Sequence, residues 1–356
     1  MARRIVICCD GTWNRPDQKN PTNVVRLARS VTPVAADGES QIVFYDQGVG
    51  TGPWLDRLTG GAFGSGLVKN VEDAYRFLVH NYEDGDKVFF FGFSRGAFTA
   101  RSTVGLIRNV GLLKKSRADQ FPKAFDIYRS DEGPDSIEAQ DFRKAYSRVI
   151  NIQFVGVWDT VGALGIPLGG LRRLTRRKHG FHDVELSSLV RNGFHAVAID
   201  EKRGSFRPSL WKAKEKPGQM VEQVWFAGVH SDVGGGYSHR GLSDLAFAWM
   251  KAKAESCGLE FDEKYLSDTI RPDHNAETHN SQKGIFRFTG GHTRSIGEAS
   301  ELTEAIHKAA KARYEDPEGA YKPNNLSAYL HKSSSRIASP DWVPGVIESG
   351  VEAGDS

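Results

Sequence analysis

The sequence has few cysteines, almost no net charge and no long apolar run. Cys8, Cys9 and Cys257 are its only cysteines, too few for a disulfide framework, which favours synthesis in a reducing cytosol. Lysine and arginine number 47 against 44 aspartates and glutamates, a balance that argues against nucleic acid as the main partner. No stretch approaches the ~20 apolar residues that cross a bilayer, and the first apolar run is shorter than a signal-peptide core of ~7–15 residues. We therefore expect a protein that is cytoplasmic as synthesised, without a signal peptide or transmembrane segment.

What the sequence does contain is a globular composition with strands and helices in alternation. Its 356 residues are 39% hydrophobic and 26% charged, which excludes global disorder and fibrous repeats. Helical spacing occurs over Gly66–Tyr82 and again from Leu242 to Met250, between apolar runs that are continuous rather than alternating. The apolar runs are Arg4–Cys9, Gln41–Tyr45, Lys87–Phe93, Ile152–Trp158 and Val221–Val229. This order predicts an α/β fold with a doubly wound, mostly parallel sheet, to which Ile285–Phe288 adds a short sixth strand.

The spacing of the predicted strands also suggests how the chain is organised. We expect a single domain over residues 1–332 and a weakly ordered tail over residues 333–356, which are rich in Ser, Pro, Gly and acids. Residues 162–218 separate two predicted strands by far more than one helix requires, and they are rich in Gly, Arg and Lys. This stretch is interpreted as a lid or cap insertion, with a helix near Val184–Ile199.

The motif that indicates chemistry is Gly-x-Ser-x-Gly at residues 92–96. It lies between the strand Lys87–Phe93 and a helical pattern, the position of a nucleophile elbow in an α/β-hydrolase-like fold. The serine of such an elbow occupies a strained turn, so its neighbours at minus two and plus two must be small, as Gly92 and Gly96 are. The sequence therefore predicts that Ser94 is a nucleophile and that the Arg95 amide helps to bind an oxyanion.

A nucleophilic serine needs a histidine base and an orienting acid, which follow in the order Ser, acid, His in this fold. Asp232 and Asp159 each come directly after a predicted strand. The glycine-rich loop around Asp232 favours that residue, and Asp159 is the alternative. Strand order places the histidine after residue 288, and spacing alone does not choose among the candidates. The candidates are His292, His307 and His331.

Five motifs occur in an order that resembles a known family. They are Val6–Asn14, Tyr45–Thr51, Gly92–Ala97, Val157–Gly162 and His230–Tyr237. Together they resemble the uncharacterised α/β-hydrolase family that includes the class-one type VI secretion phospholipase effectors and fungal relatives. The resemblance covers residues 4 to 330 approximately, nearly the whole chain.

The resemblance implies a Ser–Asp–His hydrolase, with lipase or phospholipase activity in the effectors. It also points to His307, because the family pattern there is Ile-His-x-Ser followed by an arginine and Tyr-x-Pro-x-Asn-Leu. Arg313 and the segment Tyr321–Leu326 match that pattern, whereas Ala309 stands where the serine is expected. The triad expected from sequence and resemblance together is Ser94, Asp232 and His307, with Asp159 and His292 as alternatives.

The motif after the first strand completes the expected site. In enzymes of this kind the second oxyanion donor usually follows the first strand, so the Gly11 or Thr12 amide is expected to pair with that of Arg95. The alternative is a plain turn capped by Asp10.

Three functions fit these residues. The favoured one is a carboxylic ester hydrolase acting on a lipid or phospholipid, which needs no cofactor or metal. The first alternative is a metal-assisted phosphoesterase, because carboxylates and an imidazole follow several strands on one edge of the sheet. Those residues are Asp10, Asp46, Asp159, His230 and Asp232. The second alternative is a catalytically silent relative that binds a lipid or partner in the same cleft, which the Ala309 departure allows.

The expected partner is a small-molecule or lipid ester. Residues 171–178 carry five basic side chains that could attract anionic headgroups at a membrane surface, although a solvated loop is the favoured interpretation. The sequence carries no oligomerisation signature. The effector resemblance allows secretion by a non-classical route.

Overall fold

The computed structural model describes residues 2–11, 14, 16–48, 60–130, 132–161, 185–212, 216–282 and 291–338. The strands are β1 (Arg4–Cys9), β2 (Gln41–Asp46), β3 (Lys87–Phe93), β4 (Leu112–Leu113), β5 (Ser147–Arg148), β6 (Ile152–Trp158), β7 (Val190–Ala198), β8 (Met220–Phe226), β9 (Glu304–His307) and β10 (Ile337–Ala338). The α-helices are α1 (Asn23–Ser30), α2 (Gly60–Asn81), α3 (Arg95–Val110), α4 (Phe121–Arg129), α5 (Ile137–Tyr146), α6 (His230–Gly234), α7 (Gly241–Ser256), α8 (Glu263–Thr269), α9 (Lys308–Glu315) and α10 (Asn324–Leu330). Short 3₁₀ turns cover Lys115–Gln120 and Gly204–Phe206.

The main sheet has eight strands in the order β10-β9-β8-β7-β6-β3-β1-β2. All its neighbouring strands are paired in parallel. β4 and β5 form a separate antiparallel pair. This architecture confirms the predicted α/β fold with a mostly parallel sheet. Among the residues described above, no helix combines the length and apolar character needed to span a bilayer.

Two hydrophobic cores lie on the two faces of this sheet. Along β1, Ile5 and Ile7 contribute to one core while Val6 and Cys8 contribute to the other. Alternate residues of β3 divide in the same way. Because successive side chains of a strand point to opposite faces, a strand covered by helices on both sides must be apolar at every position. This is why the predicted strands appear in the sequence as continuous apolar runs.

The strand boundaries follow the sequence closely. β1, β3 and β6 have the predicted bounds, and β2 is one residue longer than predicted. β8 ends at Phe226 rather than at residue 229, because the chain turns at Gly228, which has a φ of 105°, and then enters α6.

The predicted helix at Val184–Ile199 is not present: residues 190–198 form β7, which pairs with β6 and β8. The predicted insertion at residues 162–218 therefore includes an inner strand of the main sheet. Glycine, alanine and asparagine occur within this strand, and these residues lack the β-branched or aromatic character that marks the other strands. Residues 162–184, with the basic stretch, lie outside the residues that the structure describes, as does Ile285–Phe288.

The far edge of the sheet lies beyond the predicted domain end at residue 332. Ile337 and Ala338 form β10 and pair with Ile306 and His307 of β9. Residues 339–356 of the predicted tail lie outside the described part of the chain.

Candidate active site

Ser94 occupies a sharp turn between β3 and α3. Its backbone has φ 59° and ψ −120°, and within the described ranges only Asp159, at φ 37°, is another non-glycine residue with positive φ. Such a backbone conformation costs about 1–3 kcal/mol and persists only where the surrounding structure enforces it. The Ser94 N–H donates to the Trp158 carbonyl oxygen at 3.0 Å, which ties the turn to the end of β6.

Two glycines allow this turn to close. A Cβ atom on Gly92 would lie 2.6 Å from Cα of Ala97, and one on Gly96 would lie 2.1 Å from the carbonyl oxygen of Cys9. Both separations are far below normal carbon contact distances, so any larger residue would force strand and helix apart. The Gly-x-Ser-x-Gly spacing thus meets a steric requirement on both sides of Ser94.

A histidine side chain contacts the Ser94 hydroxyl. His230 Nε2 lies 2.8 Å from Ser94 Oγ, and His230 Nδ1 lies 2.6 Å from Oδ2 of Asp159. His230 is the first residue of α6, directly after the turn that follows β8. Its ring packs between Phe93 and Phe206, with ring centroids 4.6 and 4.9 Å away. With its Nδ1–H donating to the carboxylate, the imidazole presents Nε2 as an acceptor to the serine hydroxyl.

Asp159 follows β6, the strand next to β3, and is completely buried. Arg294 binds it in a bidentate fashion, with Nη1 2.6 Å from Oδ1 and Nη2 3.0 Å from Oδ2. The Ala198 N–H also donates to Oδ1, at 3.0 Å. The carboxylate that contacts His230 is therefore held by an arginine fork and a backbone amide, which fix its orientation.

The electrostatics follow from burial and these contacts. Burial alone would raise the pKa of the Asp159 carboxyl, but Arg294 and His230 together hold that pKa below its usual range. Burial lowers the pKa of His230, and Asp159 opposes this shift only in part. At neutral pH these directions favour an ionised Asp159 and a neutral imidazole, which can accept a proton.

The structure does not bring the expected acid and base to Ser94. Asp232 lies two residues after His230, where its Oδ1 contacts His279 Nδ1 at 2.6 Å and its Oδ2 accepts the Val229 N–H at 3.0 Å. His307 ends β9, four strands from β3, a separation of about 19 Å at the usual strand spacing. There it is buried, stacks on Phe226 and accepts the Ala309 N–H at 3.3 Å.

The alternatives have different outcomes. Asp159, the alternative acid, lies beside His230. His292, the alternative base, is half-buried, and its backbone N–H donates to the Lys202 carbonyl oxygen. His331 is exposed near the end of α10.

The sequence does not single out the contacts of His230 and Arg294 with Asp159. With Asp232 as the acid, only later histidines fit the order Ser, acid, His, whereas Asp159 as the acid makes His230 compatible with that order. The motif His230–Tyr237 held that signal. No sequence signal marks Arg294, because a single arginine in a loop 135 residues from Asp159 cannot be distinguished from a surface charge.

Two carboxylates of the metal hypothesis bind groups outside that set of residues. Asp10 accepts hydrogen bonds from Thr22 and Tyr45, while Asp232 binds His279. In the part of the chain that the structure describes, no three histidine, cysteine, aspartate or glutamate side chains gather in a way that could hold a metal ion.

Two of the three residues expected to donate to an oxyanion, Gly11 and Arg95, lie next to Ser94. Arg95 begins α3 directly after Ser94, and Gly11 lies so close that a Cβ on it would be 3.3 Å from Cβ of Ser94. The Gly11 N–H, however, donates to Asp10 Oδ1 at 2.6 Å. Thr12 lies outside the described residues.

Comparison with known proteins supplies a family. A family model for the catalytic domain of Tle1-like phospholipase effectors of type VI secretion systems matches residues 3–253. An uncharacterized protein of Saccharomyces cerevisiae is 31% identical over 229 residues, which is 58% of this chain and 32% of that protein.

Two solved structures show weaker similarity. An uncharacterized protein from Pseudomonas aeruginosa is 20% identical with a TM-score of 0.42, over 73% of this chain and 46% of that one. A Tle1 effector bound to the VgrG spike of the type VI secretion system is 21% identical with a TM-score of 0.37, over 67% of this chain and 52% of that one. The chain thus spans about a third of the yeast relative and about half of each solved chain.

Proposed function

Because this chain belongs to the family of Tle1-like phospholipase effectors, through its catalytic domain, we propose that it is a serine hydrolase that cleaves a carboxylic ester of a lipid or phospholipid. The observation that carries the proposal is the continuous hydrogen-bonded chain Ser94–His230–Asp159. It joins a strained serine, a neutral imidazole and a buried carboxylate that follow the carboxyl ends of β3, β8 and β6. In this proposal Asp159 and His230 take the roles that the sequence assigned to Asp232 and His307.

In the proposed mechanism Ser94 Oγ attacks the ester carbonyl carbon while His230 Nε2 takes the hydroxyl proton. Asp159 keeps the Nδ1–H tautomer and stabilises the imidazolium that forms. When the tetrahedral intermediate collapses, His230 returns the proton to the leaving alcohol. The same base then activates a water molecule that hydrolyses the acyl-enzyme. No step requires a metal or cofactor.

The amide of Arg95 is the proposed donor to the oxyanion. The N-terminus of α3 carries a partial positive charge of about half an elementary charge, directed at the position where negative charge develops. Burial lowers the pKa of the Arg95 side chain to about 10, which leaves it cationic at neutral pH. A cation next to the nucleophile suits an ester that also carries a phosphate.

Contact of the basic residues 171–178 with a membrane surface remains a prediction.

The central test is hydrolysis of a short-chain p-nitrophenyl ester and of phospholipid vesicles, with and without EDTA. We expect activity that survives EDTA and disappears in Ser94→Ala, and a fluorophosphonate probe that labels Ser94. Activity that is lost with EDTA but tolerates Ser94→Ala would instead support the phosphoesterase hypothesis. A folded protein without activity or labelling would indicate a silent relative.

The choice of base is tested by two histidine variants. We expect His230→Ala to lower kcat by about four orders of magnitude, because the proton acceptor is lost. His307→Asn keeps a side chain that can cap α9 and should leave kcat within about threefold. Equal losses in the two variants, each with an unchanged melting temperature, would overturn the assignment of His230.

The choice of acid is tested in the same assay. Asp159→Asn should lower kcat by about 10⁴-fold, since an amide favours the wrong imidazole tautomer. Asp232→Asn should act mainly on stability, through its contacts to His279 and Val229. A larger catalytic loss in Asp232→Asn than in Asp159→Asn would restore the acid expected from the sequence.

A further inference from the structure

The carboxylate of Asp10 is a buried charge beside the nucleophile that the proposed mechanism does not use. Asp10 follows β1, whose last residue Cys9 is in register with Gly92 of β3. The Asp10 side chain is therefore near the turn that carries Ser94, on a neighbouring strand. The residue is 1% exposed. Burial of a carboxylate is costly, so its hydrogen bonds indicate what it is there to hold.

Four donors from three parts of the chain converge on this carboxylate. Oδ1 accepts the Gly11 N–H at 2.6 Å and the Asn14 Nδ2 amide at 3.2 Å. Oδ2 accepts the hydroxyl of Thr22 at 2.6 Å and that of Tyr45 at 2.8 Å. One carboxylate thus links the turn after β1 to the start of α1 and to the end of β2.

The backbone next to Asp10 is enclosed on several sides. A Cβ on Gly48 would lie 2.5 Å from the Gly11 carbonyl oxygen, and one on Gly96 would lie 2.4 Å from that of Asp10. Gly11 itself approaches Ser94. A small shift of this backbone would therefore be transmitted to the nucleophile and to the space where the acyl carbonyl is bound.

We infer that Asp10, in its ionised form, is a positioning residue that fixes the Gly11 peptide against Ser94 and so shapes the acyl-binding side of the active site. The inference rests on the proposed hydrolase function. It explains why a carboxylate that has no contact with His230 in the hydrogen-bond network is nonetheless buried beside the site. It also predicts that catalysis depends on the ionisation of a second group besides His230.

The pKa of Asp10 determines the pH range in which activity depends on the ionisation of this carboxyl. Burial raises that pKa to about 6, although the four hydrogen bonds oppose the shift. The other titratable groups that interact with Asp10 are Tyr45, Asp46, Cys8 and Cys9. Burial raises the pKa values of both thiols and of Tyr45, so these groups stay neutral, while that of Asp46 is raised to about 6. As the pH falls, Asp10 becomes protonated, the hydrogen bonds that it accepts weaken, and activity decreases.

The test compares kcat/KM of the wild type with that of Asp10→Asn between pH 4.5 and about pH 8. The variant resembles the protonated acid, so the wild type should be about 10- to 100-fold faster at pH 8. The ratio of the two kcat/KM values should fall towards one at low pH, where Asp10 of the wild type is protonated. Titration of His230 occurs in both proteins and cancels. Loss of the Asp10 charge lowers the pKa of Asp46, so the same comparison is repeated in an Asp46→Asn background, where the pH dependence of the ratio should persist. A ratio of one at every pH, or a ratio that does not change with pH, would overturn the inference.

Two further variants keep the outcome unambiguous. Tyr45→Phe keeps the carboxylate but removes a hydrogen bond that lowers the pKa of Asp10. The kcat/KM of this variant should therefore fall at a higher pH than that of the wild type. An unchanged pH profile would also count against the inference. Asp37→Asn removes a half-exposed carboxylate paired with Arg4 at the other end of β1, and should match the wild type throughout. If the wild type itself neither hydrolyses esters nor reacts with the fluorophosphonate, the proposed function fails, whereas an active wild type with a pH-independent ratio refutes only the role of Asp10.

Discussion

Ser94 and Asp159 share an unusual backbone conformation for the same reason. Each comes directly after a strand, and each donates its N–H to the neighbouring strand: Ser94 to Trp158 at 3.0 Å and Asp159 to Ala196 at 2.7 Å. The sheet hydrogen bonds thus continue one residue beyond the strands while the side chains turn towards His230. The strain at both positions is maintained by the sheet, which is how a rigid scaffold fixes reacting groups.

Arg294 provides a prediction at the scale of one residue. Arg294→Met should leave Asp159 buried without its cation, which raises the pKa of Asp159 and lowers the free energy of unfolding by about 3–5 kcal/mol. We also expect kcat to fall by at least about tenfold, since the carboxylate is no longer oriented. Urea unfolding and ester hydrolysis measure the two effects.

The control for Arg294 is an exposed ion pair. Arg108 Nη2 lies 3.7 Å from Asp135 Oδ1, and the two side chains are 34% and 83% exposed. Arg108→Met should change the free energy of unfolding by less than about 1 kcal/mol and leave kcat unchanged. Similar effects of the two substitutions would show that Arg294 acts as an ordinary surface charge.

At the scale of elements, the turn from β8 into α6 directs His230 towards Ser94. Asp232 stabilises this turn from within, because its carboxylate accepts the Val229 N–H and both the side-chain and backbone N–H of His279. Both of its oxygens are thus engaged by groups other than His230. The acid expected from the sequence is therefore a support for the histidine rather than its partner in the hydrogen-bonded chain.

The contact between α3 and β1 gives a second prediction. Gly96→Ala places a Cβ 2.1 Å from the Cys9 carbonyl oxygen, so the helix must move away from the sheet and carry Ser94 with it. We expect a loss of at least about 100-fold in kcat together with a lower melting temperature. Gly133→Ala is the matched control, since nothing lies within 4 Å of its Cβ position. A fully active Gly96→Ala would contradict the close packing of this turn.

At the scale of the whole molecule, the site depends on contacts between distant parts of the chain. Ser94 and His230 are 136 residues apart, and β3, β6 and β8 must all be in place before the two side chains meet. The rigidity of these strands comes from the two cores. One consequence is that stability and catalysis can be separated by mutations remote from the site.

Phe154 tests this separation. Its ring packs against those of Phe89, Phe91 and Phe194, with centroids 5.9, 5.1 and 5.2 Å away, and it is fully buried. Phe154→Ala should lower the free energy of unfolding by about 3–5 kcal/mol, while kcat per folded molecule changes little. Ile137→Ala, at a position that is 80% exposed, should change the free energy of unfolding by less than about 0.5 kcal/mol. Chemical denaturation together with active-site titration separates the two quantities.

The sequence by itself determined the parallel sheet and the sharp turn that carries Ser94. Both depend on local patterns: apolar runs that are buried on two faces, and glycines at fixed steps around Ser94. β7 is wrongly predicted as a helix because its glycine and alanines have little strand propensity, and its place in the sheet depends on pairing with β6 and β8.

Only the tertiary structure decided which acid and which histidine approach Ser94. Asp159 and Asp232 both follow strands, and chain order does not distinguish them. Strand order in space excludes His307, because β9 lies four strands from β3. The turn after β8 decides between the acids, since it brings His230 to Ser94 and Asp159 while Asp232 contacts His279. A hydrogen bond requires atoms within about 3 Å, and distance across a sheet is set by how strands are paired rather than by their order in the chain.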